Sequence, residues 1–320
     1  MKLRVLTVSL RVISYFMLKG AETAFVEIGG IKRCSSKQNS EISICLPLHS
    51  VNNNEKAKIY EELDLEIRAI TQQLWSGETI PTLSSPSSSP LANYRKVTAI
   101  EGEAQLPTRT GDAEIVIPIS DRAEFFKKEA LLKGCPKAQH SYGLLLWSGF
   151  AGLGGHVDPE ASVKFHAAAA YQNHLDGMAI LGGCLRTGSG IKQNSALGLK
   201  LIDYCASMGN PTGVNKKAAL CEAVGDDFQS VRLYEECLAI ESGSRVNALL
   251  LFNLGWCYIN GRGVDQKDVS RGVSLWKEAV IMSPDEGSEE AAWHLYEMYK
   301  RDDPQEAMRW LSIADELGYT

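Results

Sequence analysis

The residues best suited to acid–base or metal chemistry in this 320-residue chain are its 6 histidines, since imidazole titrates near neutral pH. His49, His140, His156, His166, His174 and His294 are scattered. None stands in an H-E-x-x-H arrangement, which would set two rings on one helical face, and the spacing of His166 and His174 is too loose to define a site. Gly188-Ser189-Gly190 and Gly261-Arg262-Gly263 have the composition of phosphate-cradling loops, but a dinucleotide fingerprint requires a preceding strand and neither has one. Ser148-Gly149 and Ser189-Gly190 lack the strand–turn–helix setting of a nucleophile elbow. Carboxylates are plentiful, and no pair stands apart from the solvated faces. The 8 cysteines are irregularly placed and include no C-x-x-C, a pattern of small buried packing residues rather than a disulfide framework or a zinc site. These patterns predict no catalytic residue, no cofactor and no metal.

The elements that carry these residues are legible from one stretch, Leu254 to Ala279. Leu254 and Tyr258 share one stripe of a first helix, and Gly255 between them admits a neighbouring backbone. Gly261 and Gly263 break that helix. Asp268 is positioned to cap a second helix by accepting otherwise unpaired backbone N–H groups. Val273, Trp276 and Ala279, widened by Leu275, form its apolar stripe.

Weaker copies recur along the chain. Gly143 with Gly149, and Gly182 with Gly188, repeat the spacing of Gly255 with Gly261. Asp158 and Asn194 then fall at the cap position of Asp268. A last copy keeps Leu295, Tyr299, Ala307, Trp310 and Ala314 but has a short turn without glycine. Pro211 to Gly243 reads as a degenerate member lacking the glycine pair, and Ser120 to Gly134 as a lone second helix that opens the array. Repetition of this kind predicts stacked helical hairpins.

The pattern L-G-x-x-Y-x-x-G-x-G-V followed by D, carried by Leu254, Gly255, Tyr258, Gly261, Gly263, Val264 and Asp268, resembles the Sel1-like repeat family, relatives of the tetratricopeptide repeats. The resemblance covers roughly residues 120–320. It implies an all-α fold, a right-handed α/α superhelical solenoid of about four to five hairpins, and the role of a non-catalytic adaptor or scaffold for protein or peptide partners. The alternatives are a hydrolase-type enzyme or enzyme regulator on the same fold, or a subunit of an organellar assembly. Gly272 departs from the alanine the family prefers, the first turn carries extra residues, and the third copy lacks the turn motif. Each departure predicts an irregular junction.

The first 119 residues lie outside that resemblance. Residues 1–53 form an N-terminal region whose start, rich in Lys and Arg and free of acid before Glu22, resembles an organelle transit peptide. An ordinary amphipathic segment or an upstream extension of the reading frame is the alternative, so the compartment is cytoplasmic or organellar. Residues 54–76 are an amphipathic helix, with Ile59, Leu63, Ile67, Ile70 and Leu74 on one stripe; it packs on the solenoid or docks on another chain. Residues 77–119 are a Ser/Pro-rich linker and an extended lead-in. No run of apolar residues is long enough for a membrane span. The net charge of −6 resides from residue 120 onward, the first 119 residues being balanced. That disfavours nucleic acid, which needs clustered Lys and Arg, and suits a basic protein segment.

On each first helix, the positions two before, one after and five after the consensus glycine lie opposite the Leu/Tyr stripe. They are Ser141, Leu144 and Ser148; Ile180, Gly183 and Thr187; Asn253, Trp256 and Asn260; His294, Glu297 and Arg301. The candidate partner-binding residues are accordingly Ser141, Thr187, Asn253, Trp256, Asn260, His294, Glu297 and Arg301. Trp256 leads, because an exposed aromatic beside amides can anchor a peptide; the rival is that it packs against a neighbouring helix. Trp147, Trp276 and Trp310 are expected in the core.

Overall fold

A computed structural model describes residues 52–83, 121–149, 155–240, 247–282 and 287–317, all within the unit Pro47–Thr320. Among the described residues there are twelve α-helices and no strand. In chain order they are α1 (Asn53–Leu74), α2 (Arg122–Leu132), α3 (Pro136–Ser148), α4 (Pro159–Tyr171), α5 (Leu175–Thr187) and α6 (Ser195–Ser207). The second half comprises α7 (Pro211–Ala223), α8 (Asp227–Ala239), α9 (Ala248–Asn260), α10 (Val269–Met282), α11 (Ser288–Tyr299) and α12 (Pro304–Leu317). The transit-peptide-like start, the linker from residue 84 onward, the lead-in at 113–120 and most of the insertion in the first turn lie outside the described residues.

Local chemistry sets the helix ends. Asp158, Asn194 and Asp268 each accept a backbone N–H from the third residue after them, as their positions in the repeat predicted. Asn210, Asp226, Asn247 and Asp303 do the same elsewhere, satisfying donors that a helix leaves unpaired. Gly149, Gly188 and Gly261 end the first helices α3, α5 and α9 in the left-handed conformation. The second turn glycine has a different task. Gly190 and Gly263 also have positive φ, +69° and +63°, and a Cβ there would collide with the carbonyls of Pro159 and Asp227. Each turn thus lies directly on the start of the preceding second helix, and only glycine fits.

The hairpins α3–α4, α5–α6, α7–α8, α9–α10 and α11–α12 stack in order, with α2 as a lone second helix at the head. First helices meet their counterparts from hairpin to hairpin, α3 with α5, α5 with α7, α7 with α9 and α9 with α11. The second helices scarcely touch one another. The stack therefore curves with the first helices inside, which makes them an inner row. The degenerate copy forms its hairpin like the others, with Ala218 where the glycine would stand. Gly272 does not loosen its hairpin: with Gly255 it brings α9 and α10 together, a Cβ at Gly272 standing 2.7 Å from the Gly255 carbonyl. Gly182 and Gly198 pair in the same way between α5 and α6, at 2.9 and 2.5 Å. The irregularity expected at Gly272 is thus replaced by a close helix crossing.

Helix α1 lies across the second helices α4 and α6. Leu63 and Ile67 are 2% and 1% exposed, and their burial contributes about 2 kcal/mol each. Trp75 donates its indole N–H to the Lys164 carbonyl at 3.0 Å, Thr71 its hydroxyl to Ala167 at 3.2 Å, and Lys56 its ammonium to the Ser207 carbonyl at 2.6 Å. The amphipathic helix therefore packs on its own solenoid. The next residues, expected from composition to begin the linker, are held as well. Gln139 donates to the Pro81 carbonyl at 2.7 Å, and Leu83 N–H donates to Gln172 at 2.8 Å.

Candidate functional site

An aromatic cluster stands on the inner row between α9 and α11. Trp256 is 36% exposed; its ring lies 6.2 Å from that of Trp276 and 5.1 Å, edge to face, from that of His294. Phe252, one turn earlier, is buried and stacks on Trp276 at 5.8 Å and on His294 at 5.5 Å. Trp276 is fixed in turn because its indole N–H donates to the Phe252 carbonyl at 3.0 Å. Its ring fills the space over Gly255, where a Cβ would come within 2.6 Å. These rings lock one another's rotamers, so Trp256 meets solvent in a single held orientation. Burial drives the His294 ring down to a pKa of about 4, against a smaller upward pull from Glu297. The ring is therefore neutral at neutral pH. Glu297 pairs with Lys300, and Asn260 donates its side-chain amide to the Trp256 carbonyl at 2.8 Å.

A second cluster lies where α3, α4, α5 and α7 meet. The rings of His140 and His166 are 5.1 Å apart, those of His140 and His174 5.4 Å. His140 Nδ1 and His166 Nδ1 share a hydrogen at 3.3 Å. His166 is fully buried, with Nε2 unpartnered against Gly143. Burial first, then His140, Lys216 and His174, hold it well below the usual histidine pKa. His174 Nδ1 accepts the Gly177 N–H at 3.2 Å and so caps α5, which leaves the proton on Nε2, 3.9 Å from Asp176. Asp176 accepts from Asn210 at 2.9 Å and Thr212 at 2.6 Å. Burial alone would raise its pKa; His140, His174 and these two bonds outweigh burial and lower it.

A family model for the Sel1 repeat matches residues 136–174, 175–210, 248–282 and 289–319. Four hairpins, α3–α4, α5–α6, α9–α10 and α11–α12, are thus Sel1 repeats, and the match leaves out α7–α8. No curated protein matches the chain. Among solved structures, a Sel1 repeat protein from Oxalobacter formigenes is 24% identical with a TM-score of 0.40, the alignment covering 62% of this chain and 79% of that one. A protective antigen of uropathogenic Escherichia coli that displays an SLR fold is 23% identical with a TM-score of 0.35, over 63% of this chain and 42% of that one. The Sel1 repeat is in general a protein-interaction fold.

The repeat frame explains the histidine cluster. His166 follows its cap Asp158 at the distance at which Trp276 follows Asp268, and it fills the space over Gly143 as Trp276 fills that over Gly255. The first Sel1 repeat thus carries an imidazole at the aromatic packing position, and His174 stands at the cap position of the second. Both have a packing role. The spacing of His166 and His174 is too loose to define a site; repeat register, which places a cap at 174, is the signal that joins them. Among the described residues no group of three His, Cys, Asp or Glu side chains is arranged to hold a metal. The described cysteines are all buried. Burial pushes the Cys184 thiol up to about 11 and raises that of Cys205 well above its ordinary value, which disfavours the thiolate.

The eight nominated residues do not form one patch. Trp256 and His294 meet across α9 and α11, Asn260 bonds to the Trp256 carbonyl, and Glu297 stands one turn on from His294. Ser141 is half-buried on α3, and Thr187 is exposed at the end of α5, its hydroxyl held by the Gly183 carbonyl at 3.1 Å. Arg301 is exposed in the turn after α11. Asn253 does not face solvent: it is 5% exposed and donates to Asn215 at 3.2 Å, while Asn215 donates to Asn247 at 3.3 Å. Ile180, at the same repeat position, is 8% exposed. The reason is geometric. A face turned away from the second helix of its own hairpin meets the first helix of the hairpin before it, so this position lies in the seam of the inner row. Trp276 and Trp310 are buried as expected, and Trp147 is half-buried against the core.

Proposed function

We propose that the chain is a non-catalytic adaptor that holds a protein or peptide partner along the inner row of first helices, with Trp256 as the anchor. One observation carries this reading: an indole pinned by Phe252, Trp276 and His294 yet 36% exposed. A large aromatic whose rotamer is fixed before binding loses little entropy on association, which is the property of an interface hot spot. The net charge of −6 carried by the repeats favours a partner with a basic segment. The test is retention of co-purifying proteins by the full chain and by variants across the row, Thr187→Ala, Trp256→Ala and Arg301→Ala, with circular dichroism as a check on folding. Loss of the same protein in Trp256→Ala and in at least one other variant is expected. Retention unchanged in all three would sink the proposal. An enzymatic role, the alternative, would show as a hydrolase activity that survives removal of residues 1–119.

A further inference from the structure

We infer that Trp256, with His294 against its ring and Glu297 one turn on from His294 along α11, receives an arginine side chain from a basic segment of the partner, an assignment that rests on the inner row being the docking face. The molecule contains the pattern several times over. The Arg271 guanidinium lies 4.1 Å from the centre of the Tyr258 ring while it pairs with Glu235 at 3.3 Å. Lys164 lies 4.4 Å from the centre of Trp75 and pairs with Glu78 at 2.6 Å. Arg68 lies 4.8 Å from Tyr171 and pairs with Asp64 at 2.6 Å. In each, an aromatic face and a carboxylate hold one cation between them. Trp256 and Glu297 supply the ring and the carboxylate of a further such site. Among the described residues no cation lies over that ring.

Charge agrees with the geometry. Glu290 and Glu297 stand one turn before and after His294 on α11, the helix that faces Trp256. His294, neutral at neutral pH, sets no like charge against an incoming cation. Glu297 already touches Lys300, but an exposed pair of near neighbours on one helix contributes little and is readily exchanged. Arginine fits better than lysine, because a planar guanidinium stacks flat on the indole while its fork reaches a carboxylate.

The probe is an acetylated, amidated peptide of three Gly-Arg units, titrated into the full-length protein and followed through the Trp256 indole N–H resonance, assigned with Trp256→Phe. The same peptide with citrulline in place of arginine is the neutral control. The arginine peptide is expected to shift the resonance and the citrulline peptide to leave it in place. With affinities of the variants read by isothermal titration calorimetry, Trp256→Leu should weaken binding about fivefold, and Glu297→Gln should weaken it by a smaller factor without touching the ring. Equal binding of the citrulline peptide, or unchanged binding in Glu297→Gln, overturns the assignment; since that residue is on the surface, the variant reports even if Trp256→Leu misfolds. Partner retention that depends on Thr187 and Arg301 but not on Trp256 overturns the arginine site while leaving the inner row as the docking face.

Discussion

At Gly255 a single added methyl group has nowhere to go: its Cβ would stand 2.6 Å from the Trp276 ring and 2.9 Å from the Gly272 carbonyl. Glycine to alanine inside a helix ordinarily stabilises by up to about 1 kcal/mol. Here Gly255→Ala is expected to destabilise by about 2 kcal/mol, as overpacking does, read from the midpoint of denaturant unfolding. His294 gives a residue-scale prediction of opposite origin. Its folded pKa of about 4 lies below the ordinary 6.5, so above pH 6.5 neither state binds the proton and nothing is contributed. As pH falls from about 6.5 to about 4 the unfolded chain protonates first and stability is lost. His294→Gln should flatten that acid limb by about 3 kcal/mol, while the buried His166 and the half-buried His174, also lowered, keep part of the slope. Individual residues also show what sequence conveys. The caps Asp158, Asn194 and Asp268 were legible because a cap needs only the three residues that follow it. The burial of Asn253 was not, because its partner Asn215 is 38 residues away in a hairpin without the glycine motif.

Among the elements, α1 shows the same boundary between legible and hidden. Its stripe was readable from the spacing of Leu63, Ile67 and Ile70, but amphipathicity gives a helix a sticky face without naming what it sticks to. The answer depends on Tyr204, Ala167 and Lys164, which converge only after the hairpins stack. Ile67→Asp should place an unpaired carboxylate against α4 and α6. The expected result is loss of amide-exchange protection through 53–83 with protection kept from α7 onward; protection lost uniformly would show that α1 is integral to one cooperative core instead. The histidine cluster was hidden for a related reason. His140 and His166 sit on α3 and α4 and His174 caps α5, and only the register of two hairpins brings the His140 ring within 5.4 Å of the other two.

For the molecule as a whole, stability in a linear stack is a sum of hairpin terms and junction terms. The junction between α7 and α9 is the one where the Asn247–Asn215–Asn253 bridge supplies the polar contact. Asn215→Ala removes the central member and leaves buried amides short of a partner, at about 1–2 kcal/mol. Scanning calorimetry is expected to show the single transition broadening toward two, as the hairpins before and after the junction melt apart; a sharp transition merely shifted downward would contradict a separable junction. Helix α1 acts on the opposite end of the array. A helix of 22 residues that is fastened to Ser207 at one end and to Lys164 at the other works as a splint: any change in the angle between the first two repeats must stretch or slide it. The C-terminal hairpins carry no such splint among the described residues. The stack is thereby expected to be graded in stiffness, braced across its first two repeats and unbraced among the described residues of the later ones, where the half-exposed Trp256 lies.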